Sequence, residues 1–327
     1  MGKNILVTGG AGYIGSHTVR YLSKKGDRVI VYDNFANGHR FAVKGAELIE
    51  GDIGDYDLLK KTLQEEKIDA VIHFAAATLV NESVESPRKY YQNNVSNGLL
   101  LLNAMIDVGV KKIVFSSSCA TYGTPLKVPI NEGEKQSPIN PYGRTKLMFE
   151  HILKDYDSAY GLKSVCLRYF NAAGADAEGD IGEKHDPETH IIPILLQVAK
   201  GERKIFSVFG TDYKTRDGSC MRDYVHVTDL ADAHSKAVDF LFENERSDCF
   251  NVGTGDGYTV LELIDAVKKV TSKDIPFKIE SRRPGDPDIL IADTEKARTF
   301  LNWVPQHSGI DNIIATAWKW HSSDFNK

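Results

Sequence analysis

Cysteine is scarce in this chain, which holds four among its 327 residues. The four lie far apart, at Cys119, Cys166, Cys220 and Cys249, and no pair has the CxxC spacing of a zinc or redox motif. This scatter argues against a disulfide framework of the kind that small secreted proteins use. We therefore expect a protein of the reducing cytoplasm.

The sequence also lacks long apolar runs and concentrated positive charge. No apolar run approaches the roughly 20 residues of a membrane-spanning helix, and a strand-like segment begins within the first seven residues, which predicts no signal peptide. Basic residues form only doublets such as Lys111-Lys112, and the formal net charge is −5. We therefore expect neither a membrane partner nor a nucleic-acid partner.

What the first half of the chain does contain is an alternation of short β-branched runs with longer segments of helical period. The runs predict buried parallel strands at 5–7, 29–32, 48–50, 70–74, 113–116 and 165–167. The longer segments predict helices at 14–25, 58–66, 90–108 and 147–160. Gly26 and Gly109 stand where two of these helices should end. The pattern is typical of a doubly wound, Rossmann-type α/β fold.

The pattern of predicted elements changes after about residue 174. A polar loop at 176–189 precedes predicted helices at 191–200, 230–242 and 261–270, with a late strand at 250–252. We therefore predict a dinucleotide-binding domain over residues 1–174 and a smaller, mixed α/β substrate domain over 175–327. Segments near 222–252 are candidates to return to the first domain.

A glycine-rich turn follows the first predicted strand, with the spacing Gly9-x-x-Gly12-x-x-Gly15. Glycines allow a tight turn and close approach of phosphates to the backbone, and the following helix presents free N–H groups to a pyrophosphate. Asp33 closes the second strand, where a carboxylate binds both ribose hydroxyls and repels a 2′-phosphate. This favours NAD over NADP, although Arg40 is close enough in sequence to leave NADP open. Asp52 and Ile53 follow the third strand and are candidates for the adenine edge.

The candidate catalytic residues are Tyr142, Lys146 and Ser118. Tyr142 and Lys146 are four residues apart, so they share one face of a helix. A tyrosine is a poor base at neutral pH, but a fixed ammonium and a nicotinamide cation would favour its phenolate. Ser118 follows the fifth strand, at the edge where open α/β sheets bind ligands, and could share the substrate proton. These groups predict hydride transfer at a carbon that bears a hydroxyl.

Many motifs in sequence order resemble those of the extended short-chain dehydrogenase/reductase family. They are TGGAGYIG, DN, GDI, HFAA, NNV, SSSCATYG, YGRTK, LRYFNAAG and RDYVHV. Within that family the resemblance is to the UDP-sugar 4-epimerases, and it extends over nearly the whole chain. It implies that tightly bound NAD oxidises the sugar to a 4-keto intermediate, which turns over and is reduced on its other face. It also implies interconversion of UDP-galactose and UDP-glucose by a homodimer that pairs the helix after Tyr90 and the Tyr142 helix.

The resemblance implies further site residues in two groups. Those that would bind NAD are Tyr13, Ile14, Asn34, Phe74, Ala75, Ala76, Thr78, Asn94 and Phe170, beside the turn, the acids and the catalytic residues given above. Those that would bind the UDP-sugar, together with Ser118 and Tyr142, are Asn171, His190, Ile191, Ser207, Phe209, Arg222, Arg283, Asp286 and Leu290. Arg222 and Arg283 would bind the diphosphate, since the planar guanidinium suits phosphate oxygens.

Three positions depart from the pattern of some family members. Thr78 stands where some relatives carry a lysine that reaches a cofactor phosphate, which predicts weaker NAD binding. His190 stands where an asparagine contacts substrate. Leu290 stands where some relatives have a large tyrosine, which predicts room for an N-acetyl group and activity on UDP-GlcNAc and UDP-GalNAc.

The sequence is also open to two alternative functions, a dehydratase and a non-enzymatic sensor, and to one alternative site, for a metal. A nucleotide-sugar 4,6-dehydratase shares the fold and the Tyr-Lys pair but needs an acid-base pair beside the serine, where this chain has Cys119 and Ala120. A non-enzymatic NAD-binding sensor would have no need of the three catalytic residues together. His185 and His190, with Asp186 and Glu188 between them, resemble metal ligands, but they lie in a predicted loop without helical register, so we predict no metal site.

Overall fold

The structure of the chain is a computed structural model, which describes residues 2–283 and 286–323. Within these residues, fourteen strands and eleven α-helices form, together with short 3-10 turns and one π-helical stretch. Among the helices described, none has both the length and the apolarity to cross a membrane.

The strands, in chain order, are β1 (Asn4–Thr8), β2 (Arg28–Asp33), β3 (Glu47–Glu50), β4 (Ala70–His73), β5 (Lys112–Ser116), β6 (Lys163–Tyr169), β7 (Asn171–Ala173), β8 (Phe206–Phe209), β9 (Met221–Arg222), β10 (Tyr224–His226), β11 (Asp248–Val252), β12 (Tyr258–Thr259), β13 (Phe277–Glu280) and β14 (Ile289–Leu290).

The helices are α1 (Tyr13–Lys25), α2 (Tyr56–Glu65), α3 (Val80–Glu85), α4 (Pro87–Tyr91), α5 (Gly98–Val108), α6 (Pro141–Tyr160), α7 (Ile191–Ala199), α8 (Val227–Asn244), α9 (Val260–Thr271), α10 (Glu295–Phe300) and α11 (Ile310–His321). The 3-10 turns are Arg40–Ala42 and Cys119–Thr121, and the π-helical stretch is Gln92–Asn97.

Seven parallel strands form the central sheet, in the order β11-β6-β5-β4-β1-β2-β3. The predicted Rossmann-type fold class is confirmed. All six strands predicted in the first half are present. The strand predicted at 250–252 forms β11, which joins the central sheet beside β6 although it lies far along the chain. The domain boundary at residue 174 remains a prediction.

The side chains of β1 show how the sheet is covered on both faces. Ile5 and Val7 belong to one buried apolar cluster, whereas Leu6 between them belongs to another. Successive strand residues point to opposite faces, so a strand buried on both sides reads as a continuous apolar run. Helices α1 and α8 pack against each other on one side of the sheet, and α2 packs against α5 on the other. A third cluster, which includes Leu195, lies among the later elements.

Two predicted helices differ from those observed. The helix predicted at 147–160 already begins at Pro141, because the Asn140 side chain accepts the Gly143 N–H at 2.8 Å and proline suits the first helical position. The helix predicted at 90–108 is divided by the π-helical stretch Gln92–Asn97. That stretch carries Asn94, whose side chain bonds to groups outside the helix. A π-turn is frequent where a helix serves a functional site.

Candidate functional site

The glycine-rich turn joins β1 to α1 at the carboxyl edge of the central sheet. Gly9 has φ +74°, and a Cβ there would lie 2.6 Å from the Ala75 nitrogen. A Cβ on Gly15 would lie 2.2 Å from the Gly9 oxygen. At Gly12, by contrast, the nearest atom to a Cβ would be 3.4 Å away, and no side chain caps the helix there. The first turn of α1, with Tyr13 and Ile14, therefore offers free N–H groups and a space that suits a dinucleotide pyrophosphate.

Four predicted cofactor residues cluster beside the turn, at the ends of β2 and β3. Asp33 accepts the N–H of Ala11 at 2.9 Å, which ties the end of β2 to the turn. Asn34 donates to the Asp52 carboxylate at 2.6 Å. Arg40, which had left NADP open, forms an ion pair with Glu50. Ile53 is buried next to this group.

The predicted cofactor residues after β4 lie on the other side of the turn. Asn94 is buried and accepts the Ala77 N–H at 2.8 Å, while its amide donates to the Ala77 carbonyl at 2.9 Å and to Thr145 on α6 at 3.1 Å. The segment with Phe74, Ala75 and Ala76 is thereby fixed to the helix that carries Tyr142. Asn94 thus positions other residues, whatever contact it makes with a cofactor. Thr78 lies just beyond and is exposed.

The three candidate catalytic residues come together where β5 ends against α6. Lys146 donates to the Ser116 carbonyl at 2.7 Å, and its Nζ lies 5.8 Å from the centre of the Tyr142 ring. Ser118 begins the turn Cys119–Thr121, where its hydroxyl accepts the Ala120 N–H at 3.1 Å. Tyr142 and Lys146 share one face of α6, as their spacing predicts.

Burial dominates the electrostatics of these residues. Burial lowers the pKa of Lys146 to about 7, and the Glu150 carboxylate opposes that shift. Burial also raises the pKa of Tyr142 above its ordinary value, with Tyr169 acting in the same direction and a hydrogen bond with Ser118 opposing it. Burial therefore disfavours the Tyr142 phenolate. A positive nicotinamide bound nearby, the second part of the expectation, would favour the phenolate.

A cavity of about 230 Å³ opens among β7, β8, β9 and the start of α7. It is lined by eight of the predicted substrate residues, namely Asn171, His190, Ile191, Ser207, Phe209, Arg222, Arg283 and Asp286. A larger cleft of about 460 Å³, beside α8, contains none of the predicted site residues.

Two arginines give this cavity its positive charge. Arg222 forms an ion pair with Asp286, and its Nη1 donates to the Met221 carbonyl at 2.7 Å. The Arg283 guanidinium lies 4.1 Å from the centre of the Phe209 ring, in a cation–π contact. An aromatic ring and two guanidinium groups in one cavity can bind a base and a diphosphate.

The chain has clear relatives among known proteins. A family model described as GDP-mannose 4,6 dehydratase matches residues 6–316. The UDP-glucose 4-epimerase of Lactobacillus helveticus is 54% identical over 320 residues, which cover 98% of this chain and 97% of that protein. The UDP-glucose 4-epimerase of Brucella ovis in complex with NAD is 50% identical with a TM-score of 0.94, and 96% of this chain and 97% of that chain are covered.

A second solved structure, the Stenotrophomonas maltophila UDP-glucose 4-epimerase with bound NAD and formylated UDP-arabinopyranose, is 40% identical with a TM-score of 0.95 over 97% of each chain. This chain belongs to the UDP-glucose 4-epimerase family. Membership confirms the resemblance in the motifs and makes NAD its cofactor. The individual roles of the site residues remain predictions.

The dehydratase alternative finds little support within this epimerase family. Cys119 and Ala120, which follow Ser118, carry no carboxylate. An elimination of water therefore has no acid-base pair at the position where it would be needed. The dehydratase description of the family model denotes a broad match, whereas the relatives at about half identity are epimerases.

Phe170 and Leu290 lie together, apart from the cavity with the arginines. Phe170 is buried in a small apolar cluster with Tyr122, against which Leu290 and Cys119 pack. Cys119 follows Ser118 directly, so this cluster lies on the catalytic side of the site. Leu290 also pairs with Arg222 across β14 and β9. Leu290 is therefore located between the two parts of the site.

Sequence analysis did not identify two acidic residues that support the site, Glu150 and Glu183. Glu150 is buried below Ser117 and accepts hydrogen bonds from Ser117 at 2.5 Å and from Arg168 at 2.6 Å. Its position four residues after Lys146 on the same helix is the signal that could have indicated it. Glu183 lines the cavity and lies 2.7 Å from His190 Nδ1. No spacing rule indicates Glu183, because it lies in a loop.

Proposed function

We propose that this chain is an NAD-dependent 4-epimerase that interconverts UDP-galactose and UDP-glucose through a 4-keto intermediate. The observation that carries the proposal is the convergence of Tyr142, Ser118 and Lys146 beside a dinucleotide turn and a cavity with two arginines. Relatives of that name at 54% identity over 98% of the chain support the same reaction.

The chemistry requires C4 of the sugar to lose a hydride while the oxygen of its 4-hydroxyl loses a proton. NAD bound at the glycine-rich turn would supply the hydride acceptor and donor for C4 of the sugar. Tyr142 takes the proton of the 4-hydroxyl, directly or through Ser118, and gives it back when the sugar is reduced. Because the redox state is restored in each turnover, the cofactor has no reason to leave.

The protein residues divide this work between two ends of the site. Lys146, fixed by the Ser116 carbonyl, holds a donor beside Tyr142 and would bind the nicotinamide ribose. Arg222 and Arg283 bind the diphosphate, with Phe209 at the uracil and Asp286 at the ribose. Anchoring by the nucleotide leaves the hexose few contacts. The 4-keto sugar can therefore turn over without releasing the UDP group.

We also infer activity on UDP-N-acetylhexosamines, because of Leu290. This side chain packs against the cluster of Phe170 and Tyr122, where a tyrosine would occupy more of the space near the sugar. The smaller leucine leaves room for an N-acetyl group. Failure to convert UDP-GlcNAc, in a preparation that converts UDP-glucose, would contradict this.

A homodimer in the cytoplasm is the proposed state of the enzyme. Met148 on α6 is apolar and 42% exposed, which supports a partner on this helix. The four cysteines are free, which suits a reducing compartment. Light scattering during gel filtration tests the dimer, and a monomeric mass at micromolar concentration would contradict it.

The decisive experiment supplies UDP-galactose to the purified protein without added cofactor. We expect UDP-glucose to appear while the NAD bound to the protein is not consumed. Stoichiometric reduction of added NAD would instead indicate a simple dehydrogenase. A 4-keto-6-deoxy product would indicate a dehydratase, and an inert protein that binds NAD would favour the sensor alternative.

A further inference from the structure

The loop before α7 brings four potential metal ligands together without any helical register. Glu183, His185, Glu188 and His190 each contribute one ligand atom, and these atoms all lie within 4.8 Å of one another. Asp186, which the sequence placed with the histidines, is not part of this group. We refer to the four residues as the His-Glu cluster.

Three contacts within the His-Glu cluster are close to the ligand separations of tetrahedral coordination, although the two that involve Glu188 use different oxygens of its carboxylate. A zinc ion with bonds of about 2.0–2.1 Å to nitrogen and oxygen separates its ligand atoms by about 3.4 Å. His185 Nδ1 lies 3.4 Å from Glu183 Oε1 and 3.7 Å from Glu188 Oε2, and His190 Nδ1 lies 3.4 Å from Glu188 Oε1. His190 Nδ1 is closer to Glu183 Oε1, at 2.7 Å, so that this contact would open by less than 1 Å to admit the ion.

Burial gives the cluster a reason to hold a cation. The side chains of Glu183 and Glu188 are each only 5% exposed, and two carboxylates so close together need compensating positive charge, which either protonated His185 and His190 or a metal ion can supply. His185 Nδ1 is buried, and in the described part of the chain it has no hydrogen-bond partner of acceptable geometry. A buried ring nitrogen that faces two carboxylates without a hydrogen bond is suited to a metal.

Neighbouring groups fix the ligands in place. The Glu188 carboxylate accepts the backbone N–H of Thr189 at 2.8 Å and that of His190 at 2.9 Å. The indole of Trp320 donates to the Glu183 carbonyl at 2.8 Å, which ties the loop to α11. Ligands that are oriented by outer hydrogen bonds are typical of built metal sites.

A second group of acidic residues in the molecule is already paired with arginine and lysine side chains. Asp176, Glu178 and Asp180 also bring their carboxylates within 4.8 Å of one another. However, Arg20 Nη1 lies 2.8 Å from Asp176 and 2.7 Å from Asp180, and Lys44 forms an ion pair with Asp180 as well. These cations already neutralise the carboxylates. We therefore draw no metal site there, and this group serves as a control.

We propose that the His-Glu cluster binds one divalent transition-metal ion per chain, with Zn²⁺ as the best match to its two imidazoles and two carboxylates. The site is structural, because four protein ligands leave no open position for a reacting water. The sequence had predicted no metal here, since it treated the lack of helical register as decisive. His190 and Glu183 also line the nucleotide cavity, so that the ion would fix one wall of it.

The test measures metal content on untagged protein that has been treated with chelator and then equilibrated with Zn²⁺. We expect about one zinc per chain by mass spectrometry, and a rise in melting temperature of roughly 4 °C at zinc 100-fold above Kd. His185→Gln and Glu188→Gln should each lower the affinity at least about 10-fold, since each removes a ligand. Glu178→Gln in the control group should retain the full zinc content.

Cobalt gives a second measurement that does not depend on the variants. Co²⁺ in the protein should show the visible absorption of a tetrahedral nitrogen and oxygen site, without a sulfur charge-transfer band from the free cysteines. Zinc that binds equally to His185→Gln and to the unaltered chain would overturn the proposal. So would the absence of bound zinc in the unaltered chain, and the cluster would then be a set of histidine-carboxylate ion pairs.

Discussion

The two ends of the candidate site are built in different ways. At the catalytic end, Ser118 and Lys146 are 8% and 2% exposed and lie on or beside regular elements of the main sheet. At the nucleotide end, Arg283 is exposed and Arg222 lies on a strand of two residues. The catalytic end is thus a buried network, whereas the nucleotide end is an open cavity bordered by loops.

This difference follows from what each end must do. Proton transfer depends on hydrogen-bond geometry at the reacting atom, so a small displacement of Tyr142 costs much of the rate. Binding of a charged nucleotide tolerates movement, because several charge-assisted contacts share the work. We therefore expect substitutions at the catalytic end to affect kcat or folding, and those at the nucleotide end to affect KM.

The largest expected effect is that of Tyr142→Phe at the catalytic end. Loss of the phenol removes the group that exchanges the proton, and kcat for UDP-galactose should fall about 1000-fold while KM changes little. The ring is retained, so packing should be preserved. Conversion of UDP-galactose to UDP-glucose measures the rate.

Tyr160→Phe on the same helix is the matched control. Tyr160 is 52% exposed at the last position of α6, and its substitution should leave kcat unchanged. A Tyr142→Phe protein with near-normal turnover would remove Tyr142 from the mechanism. Equal losses in both variants would point to damage of the helix.

The second prediction concerns the ion pair beneath the catalytic end. Glu150→Gln leaves the Arg168 guanidinium buried without its counter-charge, and both residues are less than 8% exposed. We expect the free energy of unfolding to fall by about 3 kcal/mol, measured by urea denaturation.

Asp212→Asn tests the same change of charge at the nucleotide end. Asp212 pairs with Arg282 at 2.6 Å, but the Asp212 side chain is 76% exposed. Solvent screens such a pair, so that the loss should be much smaller than the loss in Glu150→Gln. Similar losses of unfolding free energy in both variants would show that the ion pairs at the two ends do not differ in strength as their burial predicts.

The residue pattern alone indicated more of the catalytic end than of the nucleotide end. The glycine turn, Asp33 and the Tyr142–Lys146 pair lie on elements whose period or spacing fixes which way they face. The Asn140 cap and the division of the 90–108 helix escaped prediction, since both depend on side-chain hydrogen bonds rather than on hydrophobic period. Glu183 and His190 come together only through the path of a loop. For the cavity residues the family resemblance, not the pattern, supplied the candidates.

The third prediction tests the nucleotide end directly with Arg283→Gln. Loss of a charge-assisted contact with the diphosphate should weaken binding by about 2 kcal/mol, which raises KM about 30-fold with little change in kcat. Arg282→Gln is the control, because the Arg282 guanidinium lies over the Tyr213 ring at 3.9 Å and pairs with Asp212. A fall in kcat alone would assign Arg283 to the catalytic end.

The smallest expected effect lies between the two ends, at Leu290. Leu290→Tyr should reduce kcat/KM for UDP-GlcNAc about 10-fold relative to that for UDP-glucose, since the larger ring takes the space of the N-acetyl group. Leu290→Met keeps the volume similar and should preserve the ratio. Both sugars carry the same UDP group, so the nucleotide end contributes equally to the two rates. A change that affects both substrates alike would therefore place Leu290 with the nucleotide contacts, and only a change in the ratio assigns it to the pocket in which the hexose turns over.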